Sequence, residues 1–184
     1  MNMKLLIKDN FFDNPNKIRE LALSMEYVCS EDLIVDPGWR GYRTDDWDNE
    51  ISDNILSIVS DYYNISGQRI LTYYHISHQG TRKTLEDFDN RKYHIDPDRS
   101  YAGVVYLTPN PPPKTGTSIL DGSKNEIINV ENVYNRLIAY PSNHIHAPSD
   151  VFGDDKETGR LTLTYFIEPN WSHWSSNTEV PIAS

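Results

Sequence analysis

The stretch RLTLTYFIE at residues 160–168 decides the fold class, because its side chains alternate strictly along nine residues. Successive side chains of a β-strand point to opposite faces of a sheet. One face of the strand would carry Leu161, Leu163, Tyr165 and Ile167, and the other would carry Arg160, Thr162, Thr164 and Phe166. The pattern therefore predicts a strand with one fully apolar face and one mixed face.

Four more stretches upstream have the same β-branched and aromatic composition, at residues 69–77, 101–108, 117–120 and 133–140. Clusters of Pro, Gly, Asn and Asp separate them, and Pro111-Pro112-Pro113 is predicted to be a loop, because proline cannot donate to a central ladder. This spacing favours an antiparallel sandwich or barrel of eight or so strands over alternating βαβ units.

The N-terminal third is predicted to be mainly helical. Residues 4–8 are predicted to form a short strand, and Asn14-Pro15 supplies an N-cap and a proline at the first position of a helix over 15–27. A second amphipathic helix is predicted from about 48 to 63. We expect a single domain over 1–184, with an N-terminal strand and helical support in 1–66, a β core in 67–170 and a tail in 171–184, and with both helices packed on the β core.

The composition of the chain excludes several classes of function. The chain has 184 residues, a formal net charge of -10 and one cysteine, Cys29. The acidic balance argues against free duplex nucleic acid as a partner, since few phosphates would be neutralised. A lone cysteine allows no intramolecular disulfide framework and no cysteine-based zinc site. No apolar run approaches the roughly 18 residues of a membrane span. We therefore expect a cytoplasmic enzyme or a binder of small ligands or proteins.

Two histidine motifs are candidates for metal binding. His94-Ile95-Asp96 places an imidazole and a carboxylate two residues apart, and His144-Ile145-His146 follows about fifty residues later. Two imidazoles and one carboxylate with open coordination positions form the facial triad of non-haem Fe(II) oxygenases. A turn at Asp96-Pro97 and hydrogen-bonded core histidines remain the structural alternative.

Arg160 is the candidate for anion binding. On its strand it shares a face with Thr162, and a cation that points into a sandwich needs a partner. A ligand carboxylate would supply one in bidentate geometry. The alternative is an arginine at a strand end whose head reaches water.

The order of these motifs along the chain resembles that of the 2-oxoglutarate- and Fe(II)-dependent oxygenases, particularly the prolyl-4-hydroxylase-like branch. The motifs are His94-x-Asp96, then His146, then Arg160. YPSNHIH at 140–146 is similar to the family's aromatic-Pro-Ser-Asn-x-x-His, in which the last histidine binds iron, and RLTL at 160–163 is similar to its Arg-x-Ser/Thr strand. The resemblance implies a double-stranded β-helix (jelly roll). The chain departs from the family where residues 149–159 lengthen the gap before Arg160, which we interpret as a longer hairpin.

The resemblance also implies roles for residues. His94, Asp96 and His146 would bind Fe(II), with His146 favoured over His144. The co-substrate 2-oxoglutarate would be bound by Arg160, Tyr106 and Thr162, and by Tyr73 or Tyr74, of which Tyr74 is taken as the candidate. With O2, such an enzyme hydroxylates a C–H bond of a protein side chain, prolyl by analogy, or of a small molecule, and produces succinate and CO2.

Two other functions stay open, a non-oxidative metal-binding enzyme of the cupin type and a non-enzymatic β-sandwich module. The loop at 36–44, with Trp39, Arg40 and Arg43, is predicted either to meet substrate or to pack as a turn. The 79–93 loop could be a lid or a solvated loop, and Trp171 and Trp174 could anchor a tail.

Overall fold

A computed structural model describes residues 3–33, 39–46, 50–81 and 93–168, and the statements below refer to these residues. Most of the 79–93 loop and the whole 171–184 tail, with Trp171 and Trp174, lie outside them, so the predictions made for those segments stay predictions.

The described residues form two α-helices and ten β-strands. The helices are α1 (Pro15–Ser24) and α2 (Glu50–Tyr63). The strands are β1 (Leu6–Lys8), β2 (Val28–Cys29), β3 (Tyr42–Arg43), β4 (Arg69–Ser77), β5 (Tyr101–Tyr106), β6 (Thr117–Leu120), β7 (Glu126–Val130), β8 (Leu137–Pro141), β9 (Ile145–Pro148) and β10 (Arg160–Glu168). Neither helix has the length and apolar character that crossing a membrane requires.

The strands form two antiparallel sheets. The larger has seven strands in the order β1-β8-β5-β10-β4-β3-β2, and the smaller has three in the order β7-β6-β9. β10 lies in the middle of the large sheet and pairs with β4 along its whole length, from Arg160 opposite Ser77 to Glu168 opposite Arg69. The prediction of a mostly β chain with antiparallel sheets and two helices is confirmed.

The two faces of β10 face different surroundings, as its alternation predicts. Leu161, Leu163, Tyr165 and Ile167 belong to a buried cluster that also holds Ala22 of α1 and Ile55 and Val59 of α2. A second cluster joins the sheets: Ala102, Val104 and Tyr106 of β5 and Ile138 and Tyr140 of β8 pack with Ile119 of β6 and Val130 of β7. The mixed face of β10 lies on this second side, where the candidate site is found.

Helix α1 and strand β8 are shorter than predicted. Helix α1 ends at Ser24, because Met25 has an extended backbone with ψ of 160°. The strand predicted from 133 begins only at Leu137: Asn135 has φ of 64°, and the amide of Arg136 donates to the Val133 carbonyl at 3.0 Å, so these residues form a turn.

The segment at 149–159 is not a hairpin, which corrects the prediction. β9 belongs to the small sheet and β10 to the large one, so the segment crosses between sheets.

Candidate active site

His94 and His146 are brought together by backbone pairing. His146 lies on β9, opposite Ile119 of β6. On its other side the His146 amide donates to the His94 carbonyl at 2.9 Å, and the His94 amide donates to the His146 carbonyl at 3.1 Å. The two residues thus form an antiparallel bridge that adds residue 94 to the edge of the small sheet. The Asp96 amide donates to the Ser142 carbonyl at 3.0 Å, which fixes the carboxylate beside the two rings.

The side chains of His94, Asp96 and His146 converge. Each offers a ligand atom, and these atoms all lie within 4.8 Å of one another. Asp96 Oδ2 is 3.2 Å from Nε2 of His146, and Asp96 Oδ1 is 3.9 Å from Nε2 of His94. Oδ2 is buried and accepts no hydrogen bond from the described residues.

The hydrogen bonding of His146 explains why this cluster suits a cation. Nδ1 of His146 lies 2.9 Å from the His144 carbonyl oxygen, and because a carbonyl only accepts, we assign the ring proton to Nδ1. Nε2 then presents a lone pair toward a carboxylate oxygen. Two buried acceptors that face each other are unfavourable unless a cation lies between them. The donor set therefore fits a divalent transition metal.

The structure separates the two neighbouring histidines. The half-buried side chain of His144 does not belong to the cluster, and only its backbone carbonyl contributes, by orienting the His146 ring. The geometry thus agrees with the preference for His146.

Arg160 is buried, with 4% of its surface exposed, so its head does not reach water. Nε donates to the Thr115 carbonyl at 3.1 Å, Nη2 donates to the Gly116 carbonyl at 3.2 Å, and the guanidinium carbon lies 5.4 Å from the centroid of the Tyr106 ring. Within the described ranges no Asp or Glu forms an ion pair with it. Burial lowers the pKa of the guanidinium, which shows the cost of leaving this charge without an anion.

Tyr106 and Thr162 lie next to Arg160 in the sheet, and both are fully buried. The Tyr106 hydroxyl is 2.7 Å from Oγ1 of Thr117, and burial raises the pKa of Tyr106, so the phenol stays protonated and can donate. Oγ1 of Thr162 is 3.1 Å from Oγ1 of Thr164. These hydroxyls add neutral donors beside the buried cation.

Tyr73, and not Tyr74, lies on the side of the site. Tyr73 pairs with Thr164, while Tyr74 pairs with Leu163 and belongs to the apolar cluster behind the sheet. The structure therefore replaces Tyr74 by Tyr73 as the candidate, because neighbouring residues of a strand face opposite ways. Burial raises the pKa of Tyr73 to about 12.

One cavity of about 190 Å³ joins part of this site, although Asp96, Tyr106 and Thr162 are not among its lining residues. Its walls include His94, His146, Arg160 and Tyr73. Trp39, Arg40 and Arg43 also line it, so the 39–43 part of the 36–44 loop contributes to the cavity as well as forming β3.

His75 is a lining residue that the sequence analysis did not select. Its Nε2 is 2.6 Å from the Arg40 carbonyl oxygen. Desolvation lowers the pKa of His75 to about 4, with the charges of Arg160 and Arg43 acting in the same direction, so the ring is neutral near pH 7. Its position two residues after Tyr73 on a strand was the available signal.

Comparisons with known proteins place this geometry in context. A "Family of unknown function (DUF6445)" matches residues 125–167, which include His146 and Arg160, and no curated protein matches. A prolyl-4-hydroxylase from Pseudomonas putida is similar in structure at 16% identity, with a TM-score of 0.58, covering 91% of this chain and 93% of the other.

Two further solved structures are similar. An oxidoreductase of the 2OG-Fe(II) oxygenase family from Burkholderia pseudomallei has a TM-score of 0.61 at 14% identity, with 90% and 84% of the two chains covered. HygX from Streptomyces hygroscopicus, solved with nickel, 2-oxoglutarate and hygromycin B bound, has a TM-score of 0.56 at 14% identity, with 92% and 84% covered.

The chain therefore has the fold of the 2-oxoglutarate/Fe(II) oxygenase superfamily, whose core is a jelly roll. Its similar structures include a prolyl-4-hydroxylase, the branch that the sequence motifs resemble.

Proposed function

We propose that this protein is a 2-oxoglutarate- and Fe(II)-dependent dioxygenase that hydroxylates a C–H bond of its substrate. The observation that carries the proposal is that one cavity is lined by both histidines of a His–Asp–His cluster suited to a cation and by a buried arginine with no acidic partner among the described residues. In this reading the two helices support the large sheet of a double-stranded β-helix.

His94, Asp96 and His146 would hold Fe(II) in a facial triad that leaves coordination positions for the co-substrate and O2. When bound, the iron with 2-oxoglutarate supplies the oxidising power: one oxygen atom of O2 enters the C–H bond and the other enters succinate, with release of CO2. The chain supplies orientation, because the Nδ1–H of His146 is held by the His144 carbonyl oxygen.

Arg160 would pair with the distal carboxylate of 2-oxoglutarate. Its guanidinium is fixed by two backbone carbonyls before any ligand binds, so little side-chain entropy is lost on binding. Tyr106 and Thr162 would add neutral hydroxyl groups at the same carboxylate, and Tyr73 would line the pocket. Burial of these groups keeps water away and strengthens the ion pair.

HygX contains nickel and 2-oxoglutarate in a related fold, which supports both the metal and the co-substrate for this chain. The same structures support a substrate that is either a protein side chain, as the name prolyl-4-hydroxylase indicates, or a small molecule such as the hygromycin B of HygX.

A non-oxidative metal enzyme of the cupin type is the second candidate, since the three metal-binding residues alone would also serve it. The buried Arg160 favours the oxygenase, because a cation held inside the cavity without a carboxylate matches an anionic co-substrate.

Anaerobic absorption spectroscopy tests the proposal. Wild-type protein loaded with Fe(II) should give a weak visible charge-transfer band when 2-oxoglutarate is added, and His94→Ala, Asp96→Ala and His146→Ala should each lose it. His144→Ala is the matched control and should retain it, because only the backbone of residue 144 touches the cluster. If folded, Fe(II)-loaded wild-type protein gives no band, the oxygenase function is contradicted.

A further inference from the structure

Three arginines line the cavity of a chain whose net charge is -10. They are Arg40, Arg43 and Arg160, and no Asp or Glu is among the lining residues within the described ranges. A cluster of one sign in a chain of the opposite sign concentrates anions locally. The proposed co-substrate accounts for Arg160 and leaves the charge near the 39–43 segment without a function.

Arg43 is positioned to bind an anion. Its guanidinium carbon lies 3.5 Å from the centroid of the Tyr73 ring, and Nη2 donates to Asp46 at 2.9 Å. The side chain is 28% exposed. Among the described residues neither Nε nor Nη1 has a hydrogen-bond acceptor, so part of the fork is open. Stacking on the ring fixes its plane, which favours bidentate pairing over the point-charge binding of a lysine.

Arg43 and Arg160 are held at different places in the cavity, because the Arg43 guanidinium stacks on Tyr73 whereas that of Arg160 is bound by the Thr115 and Gly116 carbonyls. Both flank β4: Arg43 is opposite His75, and Arg160 is opposite Ser77. With strands about 4.8 Å apart and residues about 3.4 Å apart along a strand, the two Cα atoms are separated by about 12 Å. The cavity therefore offers two anion positions, one deep and buried, and one partly exposed.

The cavity wall next to Arg43 is aromatic. The rings of Tyr73 and Phe166 are 6.1 Å apart, and those of Trp39 and His75 are 6.2 Å apart. The lowered pKa of His75 keeps that ring neutral between Arg43 and Arg160. An apolar part of a ligand can therefore pack here while its charge remains near Arg43.

Resting on the proposed function, we propose that the substrate is a small organic anion whose carboxylate or phosphate group pairs with Arg43 and whose apolar part packs on Tyr73 and Phe166. The cavity of about 190 Å³ would also hold 2-oxoglutarate and so leaves room for a molecule of metabolite size, and the net charge of -10 would repel an acidic protein. Arg43 is thus a residue that determines substrate specificity.

Ligand-observed NMR on protein saturated with Ni(II) and 2-oxoglutarate tests this. The probes are phenylacetate, phenyl phosphate and the neutral phenylacetamide. We expect at least one anion to bind about tenfold or more tightly than the amide, which corresponds to about 1.4 kcal/mol. Arg43→Gln should remove that preference, and a comparison of the two anions distinguishes a carboxylate from a phosphate ligand.

The controls separate this inference from the proposed function. Arg69→Gln, an exposed residue at the start of β4, makes the same charge change and should keep the preference. Asp46→Asn removes the negative charge paired with Arg43 and should tighten anion binding, whereas Asp45→Asn, an exposed neighbour, should not.

Equal binding of anions and amide by a wild-type protein that binds Ni(II) and 2-oxoglutarate overturns the inference alone. A glutamate-rich peptide that competes as well as the small anions overturns the small-molecule assignment. Failure to bind 2-oxoglutarate overturns the proposed function instead.

Discussion

Replacing Arg160 by glutamine tests whether 2-oxoglutarate binding depends on Arg160 independently of metal binding. The substitution removes the positive charge but keeps a side chain that can donate to one of the carbonyls of Thr115 and Gly116. Losing a hydrogen bond from a charged donor costs about 1.5–3 kcal/mol. Removing a buried charge that has no acidic partner among the described residues offsets part of that cost. The variant should therefore fold.

The effect on 2-oxoglutarate binding should be much larger. Truncating one partner of a buried, hydrogen-bonded charge pair costs about 2–5 kcal/mol. At about 1.4 kcal/mol per factor of ten, Arg160→Gln should weaken binding of 2-oxoglutarate between about 30-fold and about 4000-fold. Metal affinity should stay within a few-fold of wild type, because His94, Asp96 and His146 have no contact with residue 160 among the hydrogen bonds and ion pairs described above.

Two titrations measure the prediction. An anaerobic titration with 2-oxoglutarate follows the charge-transfer band of the Fe(II)-loaded protein, and competition with a chromophoric chelator gives the metal affinity. Arg69→Gln is the matched control, since it removes an exposed arginine from the partner strand. An unchanged 2-oxoglutarate affinity, or a collapse of metal affinity together with it, would refute the role given to Arg160.

Two further predictions concern stability. Gly103→Ala should lower the free energy of unfolding by about 3 kcal/mol, and hence the Tm by roughly 6–12 °C. The reason is that an added Cβ would collide with the Ile138 carbonyl and the Tyr165 hydroxyl. Calorimetry should show no such loss for Gly122→Ala, because a Cβ at residue 122 meets nothing within 4 Å. Because the pKa of His75 in the folded protein is lowered to about 4, the unfolded chain protonates at a higher pH than the folded one. The free energy of unfolding should therefore fall as the pH drops from about 6.5 to about 4, by at most about 3 kcal/mol. Denaturant titrations of His75→Gln should lack this contribution to the pH dependence, and identical pH profiles for wild type and variant would contradict the assignment.

Composition between turn-forming residues allowed β4, β5 and β6 to be predicted from the sequence, and alternation allowed β10. All four are short stretches rich in β-branched and aromatic residues, so pattern and structure agree. The strand β7 was missed because it is mostly exposed at a sheet edge, and β9 was missed because it ends in Pro148. Strands of two residues, such as β3, carry no periodicity at all.

For the site, motif spacing selected His94, Asp96, His146 and Arg160, and the structure brings the first three within ligand distance of one another. The choice between Tyr73 and Tyr74 could not be made from the sequence, since one residue of register reverses the face. The position of Arg43 in the same cavity depends on pairing between β3 and β4, which is a tertiary contact with no local signal.

The way Arg160 is held has a consequence for how this sequence can vary. Its two acceptors are main-chain carbonyls, which every amino acid possesses, so the identity of residue 115 is free as far as this contact is concerned. Residue 116 is different, because a Cβ there would overlap the Val130 carbonyl oxygen. Homologous chains can therefore vary at position 115 while keeping the glycine and the arginine. In a sequence alignment only positions 116 and 160 would then show the conserved identities, although three residues form the arrangement.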